Sequence, residues 1–100
     1  SRGLGDVYKR QTLSLLHDMV TESNMTSYVT ALEHSNPYHT VSYAKRTMLV
    51  LGNEGNGVTP GVMNLCTNRI MIPMYGDMES LNVSVAAALC MYKVQEQLMP

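Results

Sequence analysis

Hydrophobic residues first recur at helical spacing over residues 12–22. Leu13, Leu16 and Val20 lie three or four positions apart, so a helix would place them on one face. Thr12 stands directly before this run, and its hydroxyl can accept a hydrogen bond from an amide of the first helical turn. The pattern predicts an amphipathic surface helix whose apolar face packs on a core.

Three later stretches have the composition of β-strands. Residues 28–32 (YVTAL) are rich in β-formers, and the polar residues 33–37 that follow them predict a loop. Residues 48–51 (MLVL) form a continuous apolar run, which is typical of a parallel strand covered on both faces. Residues 69–73 (RIMIP) predict another short strand, which ends because Pro73 has no amide to donate to a ladder.

Two further helices are predicted in the second half of the chain. Thr59 followed by Pro60 is typical of a helix start. From Ser80 onward the chain has a helical composition and is apolar on nearly all sides until Lys93. A helix without a polar face is buried on both sides, and in a small chain we expect a partner subunit to cover one of them.

The order of these elements predicts an α/β fold with a mostly parallel sheet. Gly52 directly follows one predicted strand, and Pro73 ends the next. Ligands of open α/β sheets bind in crevices at the carboxyl ends of the strands. We therefore expect a binding crevice to which both of these strand ends contribute.

Composition narrows the class of protein. The chain has 100 residues, of which 45% are hydrophobic and 15% charged, so we expect a small globular domain with no membrane-spanning segment. The net charge of −1 provides no general basic field for nucleic acid, so any RNA contact would be local. Cys66 and Cys90 lie in apolar runs without metal-ligand spacing, which favours reduced, buried thiols in a cytoplasmic protein and no metal site.

The first part of the chain differs from the rest. Residues 1–11 show neither hydrophobic periodicity nor the apolar core of a secretion signal. We interpret them as a linker or non-native leader, and residues 12–100 as the folded domain.

A glycine-rich turn, GNEGNG, follows the second predicted strand at residues 52–57. It lacks the Gly-Lys-Ser/Thr ending of a P-loop and the GxGxxG order of the dinucleotide fingerprint. One interpretation is a sharp turn between strand and helix. The other is that the bare backbone at Gly52 lets a ligand approach closely, with Glu54 as the carboxylate at the mouth of the crevice.

Ser80 and Asn82 stand where the last helix is predicted to begin. Either side chain could cap the helix, which would need no ligand. Alternatively, a hydroxyl, a carboxamide and the free amides of a helix start would form a small polar set in an apolar wall, as ligand sites often do. The sequence leaves both interpretations open.

Three segments together resemble motifs 2 and 3 of the SpoU/TrmH family, RNA 2′-O-ribose methyltransferases of the SPOUT superfamily. They are LVLGNEGNGV at residues 49–58, IPM at 72–74 and SLNVSVAAA at 80–88. The resemblance is specific because the segments occur in the family's order, and it extends from about residue 12 to the end of the chain.

The resemblance implies the C-terminal part of an α/β methyltransferase domain whose chain is threaded into a deep trefoil knot, an exception to the rule that chains do not knot. In the family this knot holds S-adenosylmethionine, chiefly through main-chain groups. Those positions match Gly52, Ile72 and Leu81, and Thr30 matches a further cofactor contact.

The resemblance also implies catalytic roles for Glu54, Ser80 and Asn82, which match family positions that support the active site and the RNA ribose. Methylation of a ribose hydroxyl needs that hydroxyl aimed at the sulfonium methyl group and a group that removes its proton. The family's motif 1, with its Asn and its activating Arg, has no counterpart here. We therefore expect the cofactor-binding half of a methyltransferase, inactive by itself.

The expected function is methylation of tRNA or rRNA by a cytoplasmic homodimer that associates through its C-terminal helix. A catalytically inert knotted module for RNA binding or dimerisation is the alternative, and the absence of motif 1 favours it for this chain. A flavodoxin-like binding domain is a third possibility, but it would require the IPM and SLN segments to match the family by chance.

Overall fold

The computed structural model describes residues 15, 18, 21–52, 58–74 and 82–99. The described residues form a four-stranded sheet, a short and a long α-helix, and one turn of 3-10 helix. The bounds are β1 Thr26–Thr30, β2 Asn36–Pro37, the 3-10 turn Tyr38–Thr40, β3 Thr47–Val50, α1 Pro60–Leu65, β4 Asn68–Met71 and α2 Val83–Leu98. Residues 15, 18, 21 and 22 are helical, as predicted for the first patterned stretch.

The sheet has the strand order β2-β4-β1-β3, and every pairing between these strands is parallel. In β1, Tyr28 lies opposite Leu49 of β3, and Thr30 lies opposite Ile70 of β4. Val29, in the centre of β1, is fully buried. The predicted parallel α/β sheet is therefore confirmed, with β1 and β4 as the inner strands of the described sheet.

The core lies between one face of this sheet and α2. Tyr28 and Ile70 from the sheet pack with Cys90 of α2, and Tyr43 from the segment before β3 completes the cluster. The Tyr28 and Tyr43 rings are tilted against each other with centroids 4.7 Å apart, a favourable geometry for aromatic pairs. These contacts fix α2 across the sheet.

Buried polar contacts hold the amino end of the sheet. Ser27 is fully buried, and its hydroxyl accepts a hydrogen bond from the Thr67 amide at 2.9 Å. The Asn68 side-chain amide lies 3.5 Å from the Ser27 carbonyl oxygen, to which it donates. The start of β1 is thus tied to the turn between α1 and β4.

Two predictions about the strands were wrong in detail. The segment predicted as a loop contains β2, which pairs with the end of β4 at Asn36 and Pro37. The run at residues 48–51 was expected to be covered on both faces, but all of β3 is only half-buried. In the described sheet β3 is the last strand of the order, so no described strand packs along its outer side.

One prediction about buried groups needs correction and another stays open. In the single chain Val85, Leu89 and Tyr92 of α2 are exposed, so the expectation that a partner subunit covers one side of this helix stays a prediction. Both cysteines are free, as predicted, but only Cys90 is buried, whereas Cys66 is half-buried. Among the described helices, none has the length and hydrophobicity that crossing a membrane requires.

Candidate functional site

The carboxyl ends of the described strands meet at one edge of the sheet because all pairings are parallel. Thr30 is the last residue of β1, Gly52 comes two residues after β3, and Ile72 directly follows β4. The structure therefore brings together three of the positions predicted to bind a cofactor. This edge is also where ligands of open α/β sheets bind.

A side-chain hydrogen bond joins two of these positions. The Gly52 amide donates to the Thr30 hydroxyl oxygen at 3.2 Å. On the other side of β1, the Ala31 amide donates to the Ile70 carbonyl at 2.9 Å. The ends of β1, β3 and β4 are thereby held in one arrangement. The sequence motifs point to Thr30 and Gly52 separately, and no motif indicates their contact because 22 residues separate them.

The floor of this edge is apolar. Ile72 and Leu51 are both half-buried and pack against the core cluster of Tyr28, Ile70 and Cys90. Their main-chain groups follow the ends of β4 and β3, where the regular ladder pairings have stopped. An apolar floor beside the main-chain groups that follow two strand ends suits a ligand with a planar, hydrogen-bonding ring.

Asn82 caps α2. Its side-chain oxygen accepts a hydrogen bond from the Ser84 amide at 2.8 Å, and its carbonyl accepts one from the Ala86 amide at 2.9 Å. The capping interpretation is thus correct for Asn82. A role for the same side chain toward a ligand stays a prediction.

The remaining candidate residues, Glu54, Ser80 and Leu81, lie outside the described residues. Their proposed roles stay predictions. The described members of the site, Thr30, Gly52 and Ile72, carry no group that titrates near neutral pH. General acid–base chemistry would therefore have to come from other residues.

Shifted pKa values occur away from this edge. Burial raises the pKa of the Cys90 thiol in the core. Burial also raises the pKa of Cys66, just before β4, although a hydrogen bond with Ser27 acts in the opposite direction. These shifts mark packing rather than a reactive centre. No group of His, Cys, Asp and Glu suited to a metal occurs in the part of the chain that the structure describes.

Comparisons with known proteins relate the chain to RNA methyltransferases. A tRNA (guanosine(18)-2'-O)-methyltransferase of Aquifex aeolicus (strain VF5) is 47% identical over 60 residues, which cover 60% of this chain and 28% of the relative. The 23S rRNA (guanosine(2553)-2'-O)-methyltransferase RlmP of Bacillus subtilis (strain 168) is 33% identical over 110 residues, covering 93% of this chain and 44% of the relative. The chain thus spans less than half the length of either enzyme.

A solved structure shows the same fold. The SpoU methyltransferase AviRb of Streptomyces viridochromogenes, in complex with the cofactor AdoMet, superposes with a TM-score of 0.75 at 25% identity, covering 84% of this chain and 34% of that one. The family model described as the SpoU rRNA Methylase family matches residues 4–92. Since the match takes in most of the sequence, the chain belongs to the SpoU rRNA Methylase family.

Proposed function

We propose that this chain is the cofactor-binding part of an S-adenosylmethionine-dependent 2′-O-ribose methyltransferase that acts on tRNA or rRNA. The carrying observation is that Thr30, Gly52 and Ile72 lie together at the carboxyl edge of a parallel sheet. Support comes from two relatives named as guanosine 2′-O-methyltransferases and from the AdoMet complex of the Streptomyces enzyme.

The residues at this edge fit the cofactor chemically. The described members of the site, Thr30, Gly52 and Ile72, carry no charge, and the main-chain groups at Gly52 and Ile72 lie beside an apolar floor, which suits an adenine ring. In this proposal Gly52, Ile72 and Leu81 hold the cofactor through main-chain groups, and Thr30 supports them. When bound, S-adenosylmethionine supplies the methyl group, and the protein supplies position and electrostatics.

The remaining chemistry concerns the ribose hydroxyl that receives the methyl group. We assign Glu54, Ser80 and Asn82 to the support of the active site and the RNA ribose. Most of the rate gain in such a transfer comes from holding the hydroxyl in line with the methyl group, and removal of its proton adds a smaller factor. The Asn82 cap fixes the start of α2, next to which Ser80 and Asn82 stand in the sequence, whereas Glu54 follows β3.

The exposed face of α2 supports a homodimer. Val85, Leu89 and Tyr92 are 49%, 36% and 78% exposed, and they follow one another at helical spacing along one side of the helix. A second copy of the chain that packs there would cover this stripe, as apolar surfaces of this kind usually require. We place this dimer in the cytoplasm, where its RNA substrates would be found.

Calorimetric titration of S-adenosylhomocysteine into this chain tests the cofactor site. Wild type should bind. Gly52→Ala should weaken binding at least tenfold, because the added methyl group would fill the space in which the ligand lies next to the main chain. Gly61→Ala, the same change inside α1, is the matched control and should alter affinity less than twofold. No binding by a folded wild-type chain would contradict the assignment and favour an inert module.

Methyl transfer is tested separately. Radiolabelled S-adenosylmethionine is incubated with tRNA and rRNA transcripts and with either this chain or a chain extended to include the family's motif 1. We expect the extended chain to produce a 2′-O-methylated nucleotide in one of these transcripts. An extended chain that binds the cofactor and both RNAs but transfers no methyl group would contradict the proposed activity.

A further inference from the structure

The hydrogen bond between Gly52 and Thr30 forms just beyond the end of a ladder. The last paired residues of β1 and β3 are Val29 and Val50. Two residues after Val50, the Gly52 amide donates to the side chain of Thr30. A side chain has therefore taken over the role of a ladder carbonyl at the point where the backbone leaves the sheet.

The backbone and the side chain of Thr30 are both held in place at the end of β1. Its neighbour Ala31 donates its amide to the Ile70 carbonyl, so the backbone stays fixed just past the end of β1. Threonine is β-branched, and its side-chain torsion is restricted in a strand. The hydroxyl oxygen consequently has a fixed place above the carboxyl edge of the sheet.

A hydrogen-bond partner that fixes the backbone matters more at Gly52 than it would at a residue with a side chain. Without a Cβ atom, glycine adopts many backbone conformations, and ordering it costs more conformational entropy than ordering any other residue. A binding site made of main-chain groups gains affinity when those groups are ordered before the ligand arrives. A hydrogen bond to its amide supplies that order.

We propose that Thr30 is a positioning residue that orders the Gly52 peptide for cofactor binding and acts through this hydrogen bond rather than through the cofactor. The inference rests on the proposed function, since it takes Gly52 to be part of the S-adenosylmethionine site. Beyond the proposed function, it identifies Thr30 as the side chain that orders this main-chain site before the cofactor binds.

Four variants distinguish a positioning role for Thr30 from direct contact with the ligand. Thr30→Val removes the hydroxyl at nearly constant shape, and Thr30→Ser keeps it. Thr26→Val is the matched control. Thr26 is the first residue of β1, on the same face of the strand as Thr30 but at the amino end of the sheet. Its hydroxyl has no partner among the described residues. Thr30→Ala is a second test of the missing hydroxyl if the valine variant does not fold.

Two measurements are made on each variant. Amide hydrogen exchange by NMR in the ligand-free protein should be about tenfold faster at Gly52 in Thr30→Val, with Val29 as the internal reference. S-adenosylhomocysteine should bind that variant about three- to tenfold more weakly. Thr30→Ser should restore both values to within about twofold of wild type, and Thr26→Val should change neither.

The outcomes distinguish this inference from the proposed function. Weaker binding by Thr30→Val with unchanged exchange at Gly52 would mean that Thr30 contacts the ligand directly, and would overturn the positioning role. Faster exchange with affinity unchanged would also overturn it, because the ordering would not serve binding. A wild-type chain that protects Gly52 but binds no S-adenosylhomocysteine would refute the proposed function and leave Thr30 with a structural role only.

Discussion

The Tyr43 amide donates a hydrogen bond to Oε1 of Gln97 at 2.8 Å, although 54 residues separate the two. Nε2 of the same side chain donates to the Val41 carbonyl at 2.8 Å. A second side chain, from β1, binds the same segment: the Ala44 amide donates a hydrogen bond to the Tyr28 hydroxyl at 3.0 Å. The Gln97 and Tyr28 side chains thus bind backbone groups of Val41, Tyr43 and Ala44, and Gln97 joins this segment to the last turn of α2.

Replacement of Gln97 by alanine should lower the free energy of unfolding by about 1 kcal/mol, because two partly exposed neutral hydrogen bonds are lost. Urea denaturation followed by circular dichroism measures the change. Gln95→Ala is the control, since Gln95 is exposed on the same helix and its side chain has no partner in the described part of the chain. Equal free energies of unfolding for the two variants would show that the Gln97 hydrogen bonds contribute nothing measurable to stability.

Ile70→Ala should cost about 2–5 kcal/mol of unfolding free energy, since the side chain is 1% exposed and its removal leaves a cavity in the core. Leu32→Ala removes a similar aliphatic side chain that is 95% exposed, and it should change stability by less than about 0.5 kcal/mol. Chemical denaturation of both variants gives the comparison. A cost below about 1 kcal/mol for Ile70→Ala would contradict the described core.

Stability should fall at alkaline pH through Tyr43. Burial raises the pKa of its hydroxyl, with smaller contributions from Cys90, Tyr28 and Tyr38. The unfolded chain therefore releases this proton first, so the stabilising contribution is complete below about pH 10 and is lost as the pH rises toward the folded-state pKa.

The thermal midpoint, measured from pH 9 to pH 11.5, tests this dependence. Tyr43→Phe should flatten the alkaline decline, although it also removes the 2.7 Å hydrogen bond from the Tyr43 hydroxyl to the Tyr38 carbonyl and so lowers stability at neutral pH. Tyr92→Phe, at an exposed position of α2, should decline like wild type. Parallel declines in wild type and Tyr43→Phe would count against the burial of this hydroxyl.

The proposed dimer makes a prediction about mass in solution. Sedimentation equilibrium should give twice the chain mass for wild type and one chain mass for Leu89→Glu, because a charge would be buried in the apolar stripe on α2. Leu32→Glu places the same charge at an exposed leucine on a loop and should leave the dimer intact. A wild-type protein that sediments as a single chain would reject the homodimer.

The sequence predicted the parts of the fold that local patterns determine. The apolar runs predicted β1, β3 and β4 to within two residues at each end. Thr59 with Pro60 marked the start of α1, where the Thr59 hydroxyl accepts a hydrogen bond from the Val62 amide. The apolar run before Gly52 placed this residue at a strand end, and the motif resemblance named Gly52 and Ile72 as cofactor positions. Each of these signals lies within a few neighbouring residues.

Features that depend on distant partners were missed. The start of β1 at Thr26 was not predicted, because Ser27 looks like a surface residue until Thr67 supplies its hydrogen bond. The short β2 exists because β4 offers an edge for Asn36, and nothing in its own polar residues indicates a strand. Both Ser80 and Asn82 are good helix caps, and only the geometry showed that Asn82 has this role.

The strand order has a consequence for how the chain folds. Among the four described strands, no strand pairs with its neighbour in the sequence: β1 joins β3 and β4, and β2 joins β4. No hairpin is therefore available to nucleate this sheet, and every ladder has to close a loop across an intervening strand before it gains any contact energy. Sheets with such distant pairings fold orders of magnitude more slowly than helical bundles of equal length. The arrangement that gathers the strand ends into one edge thus exposes apolar strands for longer during folding.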